Sequence, residues 1–438
     1  MKLRGLLTAA SLASLASLAS LAALVAGCGG GDGATTNGGG EGSAGAAITL
    51  QVSGDTPELS SYPKLVDAYE KQSGRRVKLV TVDKGANFQK LTSAFAGGDP
   101  PDVFLASYSD AGAFAAKGVL EPVGPRLDAA KGIRRSDYYR QALDAFTSGG
   151  QLECMPQDIS GTVVFYNRDA FRKAGLSDPA AGWTYDELKA DAAKLRASFG
   201  GQRDRFAVGF EPDMQRLASF VFAAGGKLVD DDLRPTGFTL DTPAARNGLK
   251  AFFGLAPYSA GEDVLRSREP DELFAEGQIA IFIDARQEVT KLREIKGFDW
   301  DVAPFPRIAS GSTAQRSDGY CIAKGSNADA AWDFIRFATG PAGQRLLAAS
   351  GRIVPALRPV AESDAFLAPK QKPRSSRVFL DAVSSLKRLP ASAGWAQVGI
   401  DSHAPIEEAF FESARAHNLK ELSEEFLRKL NAETAGKF

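Results

Sequence analysis

The feature that most constrains the fold is an alternation of strand-like and helix-like segments that begins at residue 48. Residues 48–52 alternate apolar and polar side chains, as a half-buried strand does. A helical stripe follows, formed by Tyr62, Leu65, Val66 and Tyr69. Two more strand-and-helix pairs lie within residues 76–118. Three such units in a row predict a mostly parallel α/β sheet.

The chain from residue 151 onward predicts a second α/β unit. Its predicted strands are 162–167, 205–210 and 278–283. Thr184 followed by Glu187 is a capping box and predicts a helix start. The tail 406–430 is rich in helix formers and predicts one or two amphipathic helices. Two α/β lobes of this size would leave a cleft between them, and such clefts are preferred places for ligands.

The first residues have the layout of a secretory signal peptide. Lys2 and Arg4 precede an apolar run that ends at Cys28, in a sequence that resembles the bacterial lipobox. We therefore expect cleavage after residue 27 and acylation of Cys28, which would anchor the protein to a membrane. A transmembrane helix with an incidental cysteine is the alternative. The Gly-rich residues 28–46 predict a flexible tether.

The charge and histidine content exclude several classes of function. Lys and Arg number 52 and Asp and Glu 53, so the formal net charge is −1. A balanced chain has no global electrostatic reason to bind nucleic acid. Only His403 and His417 are present, which argues against a catalytic triad or a multi-histidine zinc site. We expect no metal and no cofactor.

Two cysteines remain after removal of the signal peptide, apart from Cys28. The compartment outside the cytoplasmic membrane permits disulfides. Cys154 and Cys321 are therefore predicted to pair, with two separate buried thiols as the alternative.

Several short motifs resemble one family when they are taken in order. Gly-Asp-Pro-Pro-Asp-Val occupies 98–103, and Met-Pro-Gln-Asp at 155–158 leads to Phe-Tyr-Asn at 165–167. Further matches are at 168–176, 183–188, 274–280, 317–320, 331–335 and 351–355. Together they resemble the extracellular solute-binding proteins of the carbohydrate class, which are related to maltodextrin-binding protein. The resemblance covers roughly the whole mature chain.

The resemblance implies an α/β, two-lobe periplasmic-binding-protein fold of type II character, with a hinge and an interlobe cleft. The N-terminal lobe would comprise 47–155 plus 318–358, and the C-terminal lobe 156–317 plus 359–438. The implied function is the extracytoplasmic solute-binding component of an ABC importer, which delivers a sugar to the permease subunits. We expect a lipid-anchored monomer in the periplasm or at the cell surface, without enzymatic activity.

A sugar site needs planar polar side chains and aromatic platforms. Candidates at the predicted crossings between lobes, or after a strand, are Gln157, Asp158, Asp284, Arg286, Asp318, Gly319 and Tyr320. Solvated turns and local ion pairs are the alternatives for these residues.

Other candidates come from loops and from irregular stretches of the chain. Tyr108 follows the third strand, and Trp395 lies in a poorly periodic stretch that argues against core packing, so both are stacking candidates. Asp55, Arg216 and Arg352 are further polar candidates. Packing is the alternative role for Tyr108.

Three alternatives to sugar import stay open on the sequence. The same fold could bind a polyamine, a phosphate ester or a metal chelate. A glycan-processing enzyme could pair Asp158 with Asp284, provided that their carboxyl groups lie about 5–9.5 Å apart. An adhesion or sensor-partner lipoprotein would share both the anchor and the fold.

Overall fold

The structure, a computed structural model, describes residues 47–54, 59–232, 234–416 and 418–438. The predicted signal peptide, the tether and the acylation site Cys28 therefore lie outside the described residues, as do Asp55 and His417.

Two sheets organise the chain, and helices cover them. The strands are β1 (Ile48–Ser53), β2 (Val77–Val82), β3 (Val103–Ser107), β4 (Leu120–Glu121), β5 (Thr147–Ser148), β6 (Gln151–Leu152), β7 (Met155–Pro156), β8 (Ser160–Gly161), β9 (Val163–Asn167), β10 (Phe206–Gly209), β11 (Ile279–Asp284), β12 (Trp300–Ala303), β13 (Gln315–Arg316) and β14 (Asp318–Ala323).

The helices of the first half are α1 (Tyr62–Ser73), α2 (Asn87–Gly97), α3 (Tyr108–Ala116), α4 (Gly124–Ala129), α5 (Arg140–Ala145), α6 (Arg168–Lys173), α7 (Tyr185–Ser198), α8 (Met214–Ala223) and α9 (Pro243–Phe253). Those of the second half are α10 (Glu262–Leu265), α11 (Pro270–Ala275), α12 (Val289–Leu292), α13 (Ala328–Thr339), α14 (Pro341–Ser350), α15 (Arg358–Ala361), α16 (Asp364–Leu367), α17 (Arg377–Ala382), α18 (Trp395–Ser413) and α19 (Leu419–Glu433).

The first sheet has the strand order β2–β1–β3–β14–β4, and β7 also pairs with β14. β1 runs parallel to β2 and to β3, as consecutive βα units require. β14 returns much later in the chain and runs antiparallel to β3, β4 and β7. The parallel arrangement predicted for the first three strands is confirmed, and β14 makes the sheet mixed.

The second sheet has the order β10–β11–β9–β12. β10 and β11 are parallel, whereas β9 is antiparallel to both of its neighbours. Every residue of β9 and β11 is buried, which explains why both strands read as continuous apolar runs. A short antiparallel ladder of β8 with β13 lies on the chain between the two sheets.

Local chemistry accounts for the helix boundaries. In α1 the four predicted residues of the stripe are all buried, and the helix ends at Gly74, whose φ of 72° is left-handed. The predicted capping box of α7 is present: the Thr184 hydroxyl accepts from the Glu187 amide, and the Glu187 carboxylate accepts from the Thr184 amide.

The C-terminal tail begins earlier than predicted. α18 starts at Trp395 rather than near residue 406, and it continues through Pro405. α18 and α19 pack on α9 and close the core beside the second sheet.

A disulfide joins the two predicted cysteines next to the first sheet. Cys154 immediately precedes β7, and Cys321 lies in β14, with the two Cα atoms 4.4 Å apart. The β7 and β14 strands pair through Met155 and Tyr320, so the bond crosslinks neighbouring segments. Both cysteines are fully buried.

Candidate functional site

A cleft lies where the strands of both sheets end. Ser53 and Ser107 end β1 and β3 of the first sheet, while Glu211 and Gln287 follow β10 and β11 of the second, and all four line the cleft. Open α/β sheets bind ligands at the carboxyl ends of their strands. Both sheets therefore present their binding edges to one space.

The inner part of this space, here called the inner cavity, has a volume of about 290 Å³. Its polar lining consists of Ser53, Asn87, Ser107, Ser109, Asp110, Asp158, Ser160, Gln215, Gln287, Gln315, Arg316, Ser317, Asp318 and Arg352. Hydroxyls and amides both donate and accept hydrogen bonds, and carboxylates accept them. Such a lining matches a ligand that carries many hydroxyl groups.

A larger space of about 1000 Å³, here called the outer chamber, adjoins the inner cavity. Gln287 and Arg316 line both spaces, so the two are continuous. The carboxylates of the outer chamber are Asp83, Glu211, Asp213, Glu269, Asp271, Glu272, Asp284 and Glu288. Its basic side chains are Arg216, Lys291 and Arg316.

Asp158 links the two segments that were predicted to cross between the lobes, 155–158 and 317–320, at the wall of the inner cavity. Its Oδ1 accepts from the Asp318 amide at 2.8 Å, and its Oδ2 accepts from Nε2 of Gln157 at 3.3 Å. Arg352 approaches the Asp318 carboxylate at 3.5 Å. Burial, followed by the like charge of Asp318, raises the pKa of Asp158 to about 7. The structure thus brings together three predicted site residues, Asp158, Asp318 and Arg352.

A pH dependence of stability follows from Asp158. Since folding raises the pKa of this carboxyl from 3.8 to about 7, its contribution to stability is fully present below pH 4. The contribution is then lost as the pH rises through 7. Asp318→Asn removes the neighbouring like charge and should lower the pKa of Asp158. We therefore expect the free energy of unfolding of this variant, relative to that of the wild type, to rise by about 1–2 kcal/mol as the pH is raised from 4 to 8.

Urea unfolding at several pH values over this range measures that difference. Asp333→Asn serves as the control, because Asp333 lies on α13 and lines neither space. A free-energy difference between Asp318→Asn and wild type that stays constant with pH would contradict the assignment.

Arg216 and Asp284 form a buried ion pair in the wall of the outer chamber, with side chains 5% and 6% exposed. Arg216 also contacts Asp213 at 2.5 Å and Glu211 at 3.2 Å. Burial alone would lower the pKa of Arg216, but these carboxylates raise it well above its usual value. Burial likewise acts to raise the pKa of Asp284, and Arg216 holds it low. Both groups are therefore ionised, and each stabilises the charge of the other.

Gln157 and Tyr320 do not line the cleft, contrary to prediction. Gln157 is fully buried, and its Oε1 accepts from the hydroxyls of Tyr320 at 2.5 Å and Tyr62 at 3.3 Å. Burial raises the pKa of Tyr320, and it raises the pKa of Tyr62 to about 12. Both hydroxyls therefore stay protonated and act as donors. Gln157 thus positions Asp158 from the buried side, next to the first sheet.

Gly319 and Arg286 also have other roles than those predicted. A Cβ on Gly319 would lie 2.6 Å from the Phe146 ring, so the glycine serves the packing of that ring. Arg286 is fully buried, with its guanidinium 4.5 Å from the ring centroid of Phe366 and 4.9 Å from that of Phe379. Its Nε donates to the Gly351 carbonyl at 2.9 Å.

The two predicted stacking residues differ in position. Tyr108 lines the inner cavity, but it is only 3% exposed, and its hydroxyl is held by Leu389 and Gln315. The expectation that Trp395 lies outside the core was wrong. It is 3% exposed and packs against Phe238 and Phe438 at the start of α18.

Sequence reasoning missed several lining residues, among them Asn87, Ser107, Asp110, Gln287, Gln315 and Arg316. The end of β3 gave Tyr108 as a candidate, and the same strand-end rule, extended to the neighbouring residues, would have found Ser107 and Asp110. Asn87 begins α2, where no comparable signal marks it.

Two kinds of feature are absent from the described ranges. None of the helices there is both long and apolar enough to cross a bilayer. In the same part of the chain, no group of three or more His, Cys, Asp or Glu side chains is arranged to hold a metal ion.

Comparison with known proteins gives consistent results. The family model described as "Bacterial extracellular solute-binding protein" matches residues 53–345. A maltotriose-binding protein from Pyrococcus abyssi is 25% identical over 69% of this chain and 65% of its own length. A maltooligosaccharide ABC transporter solute-binding lipoprotein from Streptococcus pneumoniae is 24% identical over 70% of this chain and 72% of its own length. The match thus spans slightly less than two thirds of the first of these relatives.

A solved structure shares the fold. The ABC substrate-binding protein Lmo0181 from Listeria monocytogenes, in complex with cycloalternan, superposes with a TM-score of 0.79 at 22% identity, covering 88% of this chain and 98% of that one. This likeness confirms the two-lobe α/β fold. Since the family model spans well over half of the sequence, the chain belongs to the bacterial extracellular solute-binding proteins.

Proposed function

We propose that the protein is the extracytoplasmic binding component of an ABC importer and that it captures a sugar or oligosaccharide in the cleft. The observation that carries the proposal is the position of the polar lining at the carboxyl ends of strands from both sheets. The ligands of the two relatives described above, maltotriose and maltooligosaccharide, support a carbohydrate ligand.

The wider setting belongs to the same proposal. Residues 47–155 with 318–358, and 156–317 with 359–438, would form lobes that close on the ligand by hinge motion. Acylation at Cys28 would anchor a monomer outside the cytoplasmic membrane, where permease subunits receive the ligand. The lipoprotein relative supports this anchor.

Binding without catalysis is part of the proposal. A glycosidase would need one carboxyl as acid and a second as nucleophile or base. Asp284 already accepts hydrogen bonds from Arg216, from the Ala285 amide and from Gln287. A carboxylate that is held in this way is a poor nucleophile, which argues against the pairing of Asp158 with Asp284.

A thermal-shift screen of residues 47–438 against mono- and oligosaccharides tests the function. A ligand that binds only the folded state should add about 2.7 kcal/mol of stability at a hundredfold excess over its Kd. We expect at least one saccharide to raise the midpoint by several degrees. A flat response to all saccharides, together with a shift by a phosphate ester or a polyamine, would contradict sugar binding.

A further inference from the structure

The lining of the cleft concentrates negative charge. Eleven carboxylate side chains and four basic ones line the inner cavity and the outer chamber, a formal charge of −7 when all are ionised. The whole chain has a formal charge of only −1. With Asp158 protonated, the cleft still carries −6. A cleft lined by one sign of charge raises the local concentration of ligands of the opposite sign.

Two of the three basic side chains of the outer chamber are engaged by carboxylates of the same chamber, and Arg316 is the third. Arg216 is paired with Asp284, Asp213 and Glu211, and Lys291 is paired with Asp271 and, at 4.0 Å, with Glu272. Glu211 and Glu272 keep 46% and 47% of their side chains exposed within these pairs. An anionic ligand would have to approach these carboxylates, whereas a cation would be attracted by them.

Aromatic platforms contribute little to the described lining. The aromatic residues there are Tyr108 and Phe282, at 3% and 1% exposure. Residues 55–58 are Asp, Thr, Pro and Glu, so the sequence of that segment supplies no ring either. A neutral sugar that depends on stacking of its C–H faces finds few partners here. Hydrogen bonds and charge are therefore left to carry recognition.

We propose that the ligand is a carbohydrate with at least one free, protonated amine, an amino sugar or an oligosaccharide that contains one. This inference rests on the proposed function and specifies its ligand class. An ammonium group donates three hydrogen bonds, and those to carboxylates are charge-assisted. The remaining hydroxyls of such a ligand match the serines and amides of the inner cavity.

Matched pairs of probes test the inference by isothermal titration calorimetry at pH 6.5. The pairs are glucosamine with glucose, and the fully de-acetylated chitobiose with cellobiose and with diacetylchitobiose. We expect at least one aminated probe to bind about tenfold more tightly than its neutral partners in 50 mM salt. The advantage should shrink in 500 mM salt, because salt screens the charges at the chamber.

A charge-neutralised variant localises the effect. Glu211→Gln with Glu272→Gln removes two half-exposed carboxylates of the outer chamber and should weaken the aminated probe about fivefold. The neutral partner should change less than twofold. The control, Glu408→Gln with Glu425→Gln, removes two carboxylates of similar exposure, 52% and 48%, on α18 and α19. The control should leave both affinities unchanged.

The outcomes separate this inference from the proposed function. Neutral sugars that bind as tightly as their aminated partners would overturn the inference and leave sugar binding intact. Binding of spermidine in place of every saccharide would overturn both. An equal effect of the cleft variant and the control variant on the aminated probe would also overturn the inference.

Discussion

Removal of the disulfide by Cys154→Ala with Cys321→Ala is expected to lower the free energy of unfolding by about 4–5 kcal/mol. The bond closes a loop with a sequence separation of 167 residues. In the chain-entropy model, a crosslink across so long a loop removes much of the freedom of the unfolded chain. The expected loss is among the largest for any covalent change in the described part of the molecule.

Urea unfolding of the oxidised wild type, the reduced wild type and the double variant measures this contribution. The reduced wild type is the matched control, because it keeps both side chains and loses only the bond. We expect the reduced protein to fall close to the variant. Equal stability of oxidised and reduced wild type would show that the bond does not form or does not contribute.

Arg216→Met should lower the free energy of unfolding by about 3–5 kcal/mol, because it leaves Asp284 buried without its partner. The methionine conserves much of the volume of the arginine, so packing changes little. Arg216→Met with Asp284→Asn should be less unstable than the sum of the two single changes, since the lone charge is gone. Urea unfolding at pH 7 provides both values.

A surface ion pair gives the comparison for this prediction. Lys429 lies 2.8 Å from Glu408, with side chains 40% and 52% exposed. Lys429→Met should therefore lower stability by less than about 1 kcal/mol. If Arg216→Met lowered the free energy of unfolding by no more than Lys429→Met does, the buried pair of Arg216 and Asp284 would not stabilise the wall of the outer chamber as its geometry indicates.

The first sheet and its helices could be predicted from the sequence because their signals are local. The stripe of α1 ends at a glycine, and β1 alternates, so both elements are visible in short windows. The second sheet was harder to predict, since a fully buried strand such as β9 has no alternation of apolar and polar residues to mark it as a strand with one face toward the core. Antiparallel pairing around β9 depends on distant partners.

The candidate site was predicted in part, and depth along a strand explains the difference. Asp318 and Tyr320 both lie in β14, two residues apart. Asp318 pairs with Ser107 at the end of β3 and reaches the cavity, whereas Tyr320 pairs with Leu105 and is covered by helices. A sequence does not show where the edge of a sheet falls until the partner strand is known.

Trp395 illustrates a second limit. Gly399 and Pro405 interrupt the pattern of α18, so its first two turns do not read as a helix. The structure places that segment against Phe238 and Phe438, where tertiary packing overrides the weak helical propensity.

The setting of Arg286 has a consequence for redesign of the cleft. This side chain fixes the loop after β11 to the Gly351 carbonyl and to two phenyl rings. The adjacent Gln287 lines both the inner cavity and the outer chamber. A loop that is held in advance loses little entropy when it binds. An engineer who seeks a biosensor for a new analyte should therefore randomise position 287 and leave its neighbour untouched.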